Sequence, residues 1–226
     1  MRPRRPRSAM LARRAGALMA VLFLFGCLSP RKLQFTPPSV LPVIPAHLQA
    51  TAHPVTIAMP RPVDARSDHD FGWGALSPQL PLPYKISTDD AAEWLGNALA
   101  SGLENAGYEI APLQDTRAAD AGYILKVELT ELSCGNSGLL NYRSVVGATV
   151  ELDRHHQEIL KKSYRGEYIG PFRAPPDELL AAMSEFTNIA AEKLLEQAVP
   201  EIASAIVQSN TETQRLTSSG TNATQP

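Results

Sequence analysis

The chain has 226 residues, 44% of them apolar, with 21 Lys and Arg against 23 Asp and Glu for a net charge of −2. Six of the basic residues, Arg2, Arg4, Arg5, Arg7, Arg13 and Arg14, precede a short apolar run; beyond residue 26 the remaining 15 basic residues face 23 acidic ones, a net charge of −8. That balance argues against a nucleic-acid surface and against a polybasic grip on anionic lipid headgroups.

The first 26 residues have the parts of a secretory signal peptide: a positive start without acidic residues, an apolar core, and a small residue, Gly26, at the cut. The core is too short to cross a bilayer of ~30 Å as a helix, so cleavage is expected. Cleavage exposes Cys27, and the run Leu24-Phe25-Gly26-Cys27 resembles the lipobox of bacterial lipoproteins. The resemblance implies that Cys27 is acylated and holds the mature protein on a membrane. Leu28 follows in place of the aspartate of an inner-membrane retention signal, which points to the outer membrane with the domain facing the periplasm. A lipid on Cys27 leaves Cys134 with no partner for an intramolecular disulfide, so the core has to hold by packing.

Residues 27–53 read as a tether. Pro30, Pro37, Pro38, Pro42 and Pro45 interrupt any helix or strand, and such segments extend at ~3.1 Å per residue, on the order of 70 Å in all. The domain is expected over residues 54–208. Val55-Thr56-Ile57-Ala58-Met59 is apolar and β-branched, a first strand. A long loop over residues 60–86 follows, rich in Pro and Gly, which places Asp64, Arg66, Phe71 and Trp73 where a partner or ligand is within reach. Two plainer roles remain open for them: Asp64 and Arg66 as a loop-stabilising ion pair, Phe71 and Trp73 as rings folded over the sheet edge.

A helix is expected from a cap at Ser87 or Thr88 to Gly107. Asp89 and Asp90 fall in its first turn, and Ala92, Leu95, Leu99, Leu103 and Ala106 form its apolar face. Alternation then marks three strands. Tyr123, Leu125, Val127 and Leu129 share one face of the first; Tyr142, Val146, Ala148, Val150 and Leu152 that of the second; Leu160, Tyr164 and Tyr168 that of the third. The first link between them, Ser133 to Gly138, includes Cys134 in a Gly-rich loop, and the second is a turn at His155-His156. Pro175 and Pro176 introduce a final helix with a stripe from Leu179 through Ala198, which Pro200 kinks or divides before Ile202 and Ile206. Residues 209–226 are almost wholly polar and are expected to be disordered. The order β-α-β-β-β-α predicts an α+β fold: a single two-layer domain, an antiparallel-rich sheet with two helices on one face.

Several of these segments together resemble the YajG-type bacterial lipoproteins: the lipobox, Val55-Thr56-Ile57 followed by Asp64-Ala65-Arg66, the helix ending Glu104-Asn105-Ala106-Gly107-Tyr108, Leu125-Lys126-Val127-Glu128-Leu129, and Tyr164-Arg165-Gly166-Glu167-Tyr168. The long Pro-rich insert after Arg66 and the polar tail depart from that pattern. The resemblance implies a periplasm-facing outer-membrane lipoprotein. In layout the chain is also similar to the small auxiliary lipoproteins of lipid and toluene-type transport systems.

No nucleophile elbow, HExxH, phosphate-binding loop or Cys/His cluster occurs in the sequence, so no catalysis and no cofactor are expected. The two histidines are adjacent in a turn and lack a second pair of ligands, so no metal is expected there. Two functions stay open: a non-catalytic adaptor for a protein or other envelope component, and an auxiliary subunit of an envelope lipid or solute transport system with a groove for a lipid or other apolar ligand.

Overall fold

The computed structural model describes residues 31–32, 35, 37–38, 41–50, 55–67, 86–87, 90–114, 118, 121–137, 141–171 and 178–220. Cys27, Phe71 and Trp73 lie outside these residues. The elements in order are β1 (Arg31–Lys32), a one-turn 3-10 helix (Ala46–Leu48), β2 (Thr56–Met59), β3 (Val63–Asp64), β4 (Ile86–Ser87), α1 (Ala91–Asn105), β5 (Glu109–Pro112), β6 (Tyr123–Asn136), β7 (Asn141–Arg154), β8 (Gln157–Pro171) and α2 (Leu179–Gly220).

The expected α+β, two-layer arrangement is present. The main sheet runs β5-β2-β6-β7-β8, with β3 also on β6. Antiparallel pairing joins β6 to β7 and β7 to β8 along almost their whole length, whereas β2 is parallel to both β5 and β6. Two strands of the main sheet were not expected from the sequence, for a physical reason. Glu109–Pro112 has only four residues and Val63–Asp64 only two, too few for alternation to show. β5 lies beside β2 because α1 is the crossover that a parallel neighbour requires.

The alternating residues face where their spacing puts them. Leu125, Val127, Leu129, Val146, Ala148, Val150 and Leu152 are buried under the helices, while Lys126, Glu128 and Thr130 on the other face are exposed. Cys134 corrects the expected loop. β6 continues through it to Asn136, paired residue for residue with β7, and the thiol is buried. The two-residue turn between β7 and β8 holds His155 at φ 46° and His156 at φ 68°. Positive φ at both positions is the geometry whose twist matches two paired strands.

α1 starts at Ala91, later than expected, with Asp90 at its N-cap and no side-chain cap bond there. It ends as expected, with Gly107 at φ 89° just past the cap. Its mid-helix glycines serve neighbours other than the sheet. A Cβ on Gly96 would stand 2.2 Å from Pro62 Cγ, and one on Gly102 2.9 Å from Val199 of α2.

α2 is buried on two sides. Ala190, Leu194, Ala198 and Ile202 belong to the same core as Ala191, Leu195 and Val199, since the helix packs on the sheet and on α1 together. It runs through Pro200 as one helix. The tail expected to be disordered is helical as far as Gly220. Its first turns are tied down by side chains of the sheet: Arg154 donates to Ser209 Oγ (2.8 Å) and Thr213 Oγ1 (2.6 Å), and Tyr123 Oη donates to Asn210 Oδ1 (2.7 Å). These grips come from residues far away in sequence, so a polar composition alone does not reveal them.

Part of the expected tether is a packed strap along α1. Lys32 pairs with Ser87 just before the helix, and the Phe35 ring stacks on Trp94 at 4.8 Å. Pro42 faces Gly102, Ile44 is buried, Ala50 N–H donates to Ala106 O (3.0 Å), and Tyr108 Oη donates to Leu48 O (2.8 Å). Proline in such a strap has little backbone freedom left to lose on docking.

The tightest packing lies where β8 meets α2. A Cβ on Gly166 would fall 1.8 Å from Ala190 O and 2.8 Å from Leu194 N, both backbone atoms. Gly166→Ala is therefore expected to push the helix off the sheet and to cost at least about 2 kcal/mol, within the range for overpacked cores. Urea unfolding followed by circular dichroism measures this, and an unchanged midpoint would contradict the packing.

Candidate functional site

Asp64 and Arg66, singled out in the loop after the first strand, meet as a fork. β3 carries Asp64, and the chain turns back so that Arg66 Nε donates to Asp64 Oδ1 (2.8 Å) and Nη2 to Oδ2 (2.5 Å). The Arg66 backbone N–H also reaches Oδ1, at 3.3 Å. The side chains are 3% and 18% exposed, a largely desolvated bidentate pair that fixes the turn leaving β3.

The exposed face of β6, β7 and β8 is laced with charge in two networks, which the sequence showed only as polar alternation. In the first, Lys126 donates to Glu151 (2.5 Å) and Asp153 (2.8 Å), and Lys161 donates to Glu151 (2.6 Å). The hydrogen bonds from Lys126 and then Lys161 hold the Glu151 carboxyl at about 2, well below its ordinary 4.5. In the second, Arg143 forks onto Glu167 (2.8 and 2.9 Å), and Arg165 bridges Glu167 (2.7 Å) and Glu131 (3.0 Å). Hydrogen bonds from Arg143 and Arg165 lower Glu167 in the same way. The face therefore pairs its own charges.

Among the described residues few polar side chains are buried. Ser144 Oγ donates to Ser133 O (3.2 Å) and lies 3.2 Å from Thr187 Oγ1, whose own bond goes to Met183 O (2.7 Å). Cys134 stands opposite Ser144 on the neighbouring strand. Burial pushes its thiol up to about 12, a shift partly offset by a hydrogen bond with Ser144, so it stays protonated and is a poor nucleophile. Tyr164 Oη donates to Glu201 Oε2 (2.8 Å), and Lys162 binds the same carboxylate (2.7 Å), joining β8 to α2 at the surface.

These groups make contacts within the fold. Among the described residues no group of three or more His, Cys, Asp or Glu is placed to hold a metal ion. His155 and His156 are exposed at the tip of the β7–β8 hairpin. Among the described residues no helix is long and apolar enough to cross a membrane. The sequence reading missed the strap and the two charge networks. Ile44 and Leu48, four apart among prolines, were the available signal for the strap.

No protein-family model matches the chain, and no curated protein matches it in sequence. Solved structures similar to it include a Xanthomonas campestris protein described by family model DUF330, at 13% identity and TM-score 0.47, covering 82% of this chain and 99% of the other. The PelC dodecamer of Paraburkholderia phytofirmans is similar at 17% identity and TM-score 0.39, covering 70% and 93%. A minor lipoprotein of Acinetobacter baumannii is similar at 17% identity and TM-score 0.43, covering 66% and 91%. At these scores none of them bears on what this chain does.

Two measurements check the electrostatics. With Cys27 replaced by serine, Cys134 is expected to resist iodoacetamide in the native protein at neutral pH and to react fully in denaturant; rapid native labelling would contradict its burial. Glu151 is depressed when folded, so its contribution is complete above its ordinary 4.5 and is lost as pH falls toward about 2. Glu151→Gln is expected to lower stability at neutral pH and to flatten its dependence on pH across that window. An identical acid limb in the two proteins would show that Glu151 is not held as described.

Proposed function

We propose that this chain is a lipid-anchored lipoprotein of the bacterial cell envelope whose domain is a non-catalytic binding module for another envelope protein. One observation carries the reading: the positive, apolar, Leu-Phe-Gly-Cys sequence that ends at Cys27. It makes Cys27 the acylated first residue of the mature chain, with several acyl chains at ~0.8 kcal/mol per buried CH₂ giving lasting attachment. Leu28 after it favours the outer membrane, periplasmic side, and the segments from Val55 to Tyr168 supply the likeness to YajG-type lipoproteins.

The binding role draws on the build of the domain. Its interior between sheet and helices is filled by Ile57, Leu95, Leu99, Leu129, Leu152, Met183 and Leu194, all at 1% exposure or less, which favours an adaptor over a carrier of apolar ligands. The polar groups described above hold the fold or cover its outer face. Contacts with the partner fall to Phe71 and Trp73 and to the charged face around Ser163, since Asp64 and Arg66 are spent on each other.

Replacing Cys27 with serine is expected to move the protein from the sedimented envelope to the soluble periplasmic fraction. A photo-crosslinking residue placed in turn at Phe71 and at Ser163 is expected to capture one discrete envelope protein in cells. Unaltered fractionation would remove the anchor, and failure to capture a partner from either position would remove the adaptor.

A further inference from the structure

We infer that the N-terminal strap is a fixed mount that holds the α1 N-terminal end of the domain against the lipid surface, with the α2 C-terminus pointing away. This rests on the proposed acylation of Cys27. The strap touches α1 in strict order: Arg31 and Lys32 pair with Ile86 and Ser87 just ahead of the helix, Phe35 stacks on Trp94 in its first turn, Pro42 faces Gly102, and Ala50 bonds to Ala106 at its end. The strap therefore runs parallel to the helix, and its membrane-side end is at the α1 N-terminus.

Covalent reach then sets the distance. Arg31 is four residues after Cys27, and at ~3.3–3.6 Å per residue the chain spans at most about 14 Å. A free tether of 27–53 would permit on the order of 70 Å. The mount thus removes most of the spacing that the proline content suggests.

The surface at this end is of a kind that suits a headgroup layer. Val63 and Leu113 are 53% and 51% exposed, and Arg61, whose side chain is 80% exposed, pairs with Glu93 in the first turn of α1. Leu113 N–H donates to Met59 O, Pro62 packs on Gly96, and Val63 pairs with Glu128, which keeps these residues level with the N-terminal end of α1, partway along β6. The opposite end carries Tyr123, where Asn210 is bonded, and the exposed turns of α2 beyond it. α1 itself, 15 residues at ~1.5 Å each, separates the two ends by roughly 22 Å.

The test uses the full lipidated protein in phosphatidylethanolamine–phosphatidylglycerol vesicles that carry an energy-transfer acceptor on the headgroups. A donor dye is attached at Glu93→Cys or at Glu212→Cys, both exposed positions; Cys134 is buried and does not take the label. Transfer from position 93 is expected to be several-fold stronger than from position 212. Insertion of about ten Gly/Ser residues after Leu28, a flexible spacer that leaves the domain untouched, is expected to abolish most of that difference. Equal transfer from the two positions in protein that still sediments with vesicles would overturn the mount and leave the lipid anchor standing. A Cys27→Ser protein that sediments with vesicles as fully as the parent would overturn the anchor reading itself.

Discussion

Three segments meet at Gly102, where the absence of a side chain lets them do so. Val199 of α2 would touch a Cβ there, and Pro42 of the strap lies just beyond it. The seam between the helices is thereby closed by a stretch of chain that precedes the first strand of the main sheet. From this junction α2 reaches over the sheet to Gly166, and the strap continues toward Trp94 and Arg31 in one direction and toward Ala106 in the other. Packing of this kind is intolerant of added atoms, because protein interiors have little unfilled volume to give. The strap is consequently part of the domain, and the direction in which the N-terminus leaves is a property of the fold.

Most of the architecture was legible where elements are long. β6, β7 and β8 have 14, 14 and 15 residues, ample for period-two alternation, and α1 and α2 repeat apolar residues at helical spacing. Failures occurred where local pattern and tertiary contact disagree. Gly135 and Gly138 made Cys134 read as a loop residue, yet pairing with Ser144 on β7 keeps it in the strand. The polar residues after Gln208 read as disorder, yet Arg154 and Tyr123 hold their first turns. Prolines read as spacer, although a restricted backbone is also cheap to dock.

Of the candidate site, the sequence left Asp64 and Arg66 open between a ligand or partner contact and a loop-stabilising ion pair; the structure forms the pair, because two residues apart across a turn is a distance that a fork can close. It did not reveal the charge networks, since Lys126, Glu151 and Lys161 are joined only through the register of three strands. That register also explains why the face is self-neutralised. Lys126 and Lys161 stand directly across from Glu151, whereas Arg143 reaches Glu167 diagonally and Arg165 reaches Glu131 over Gly147, which stabilises the sheet modestly and leaves little net field to attract a charged ligand.

Whether residues 41–50 belong to the folded domain is decided most directly by native-state hydrogen exchange at the Ala50 amide, which donates to Ala106 O. A packed strap predicts protection comparable with that of the amides in the last turns of α1, lost only when the helix opens. Exchange of Ala50 at the rate of an unstructured peptide, with α1 still protected, would contradict it and return this segment to a free tether.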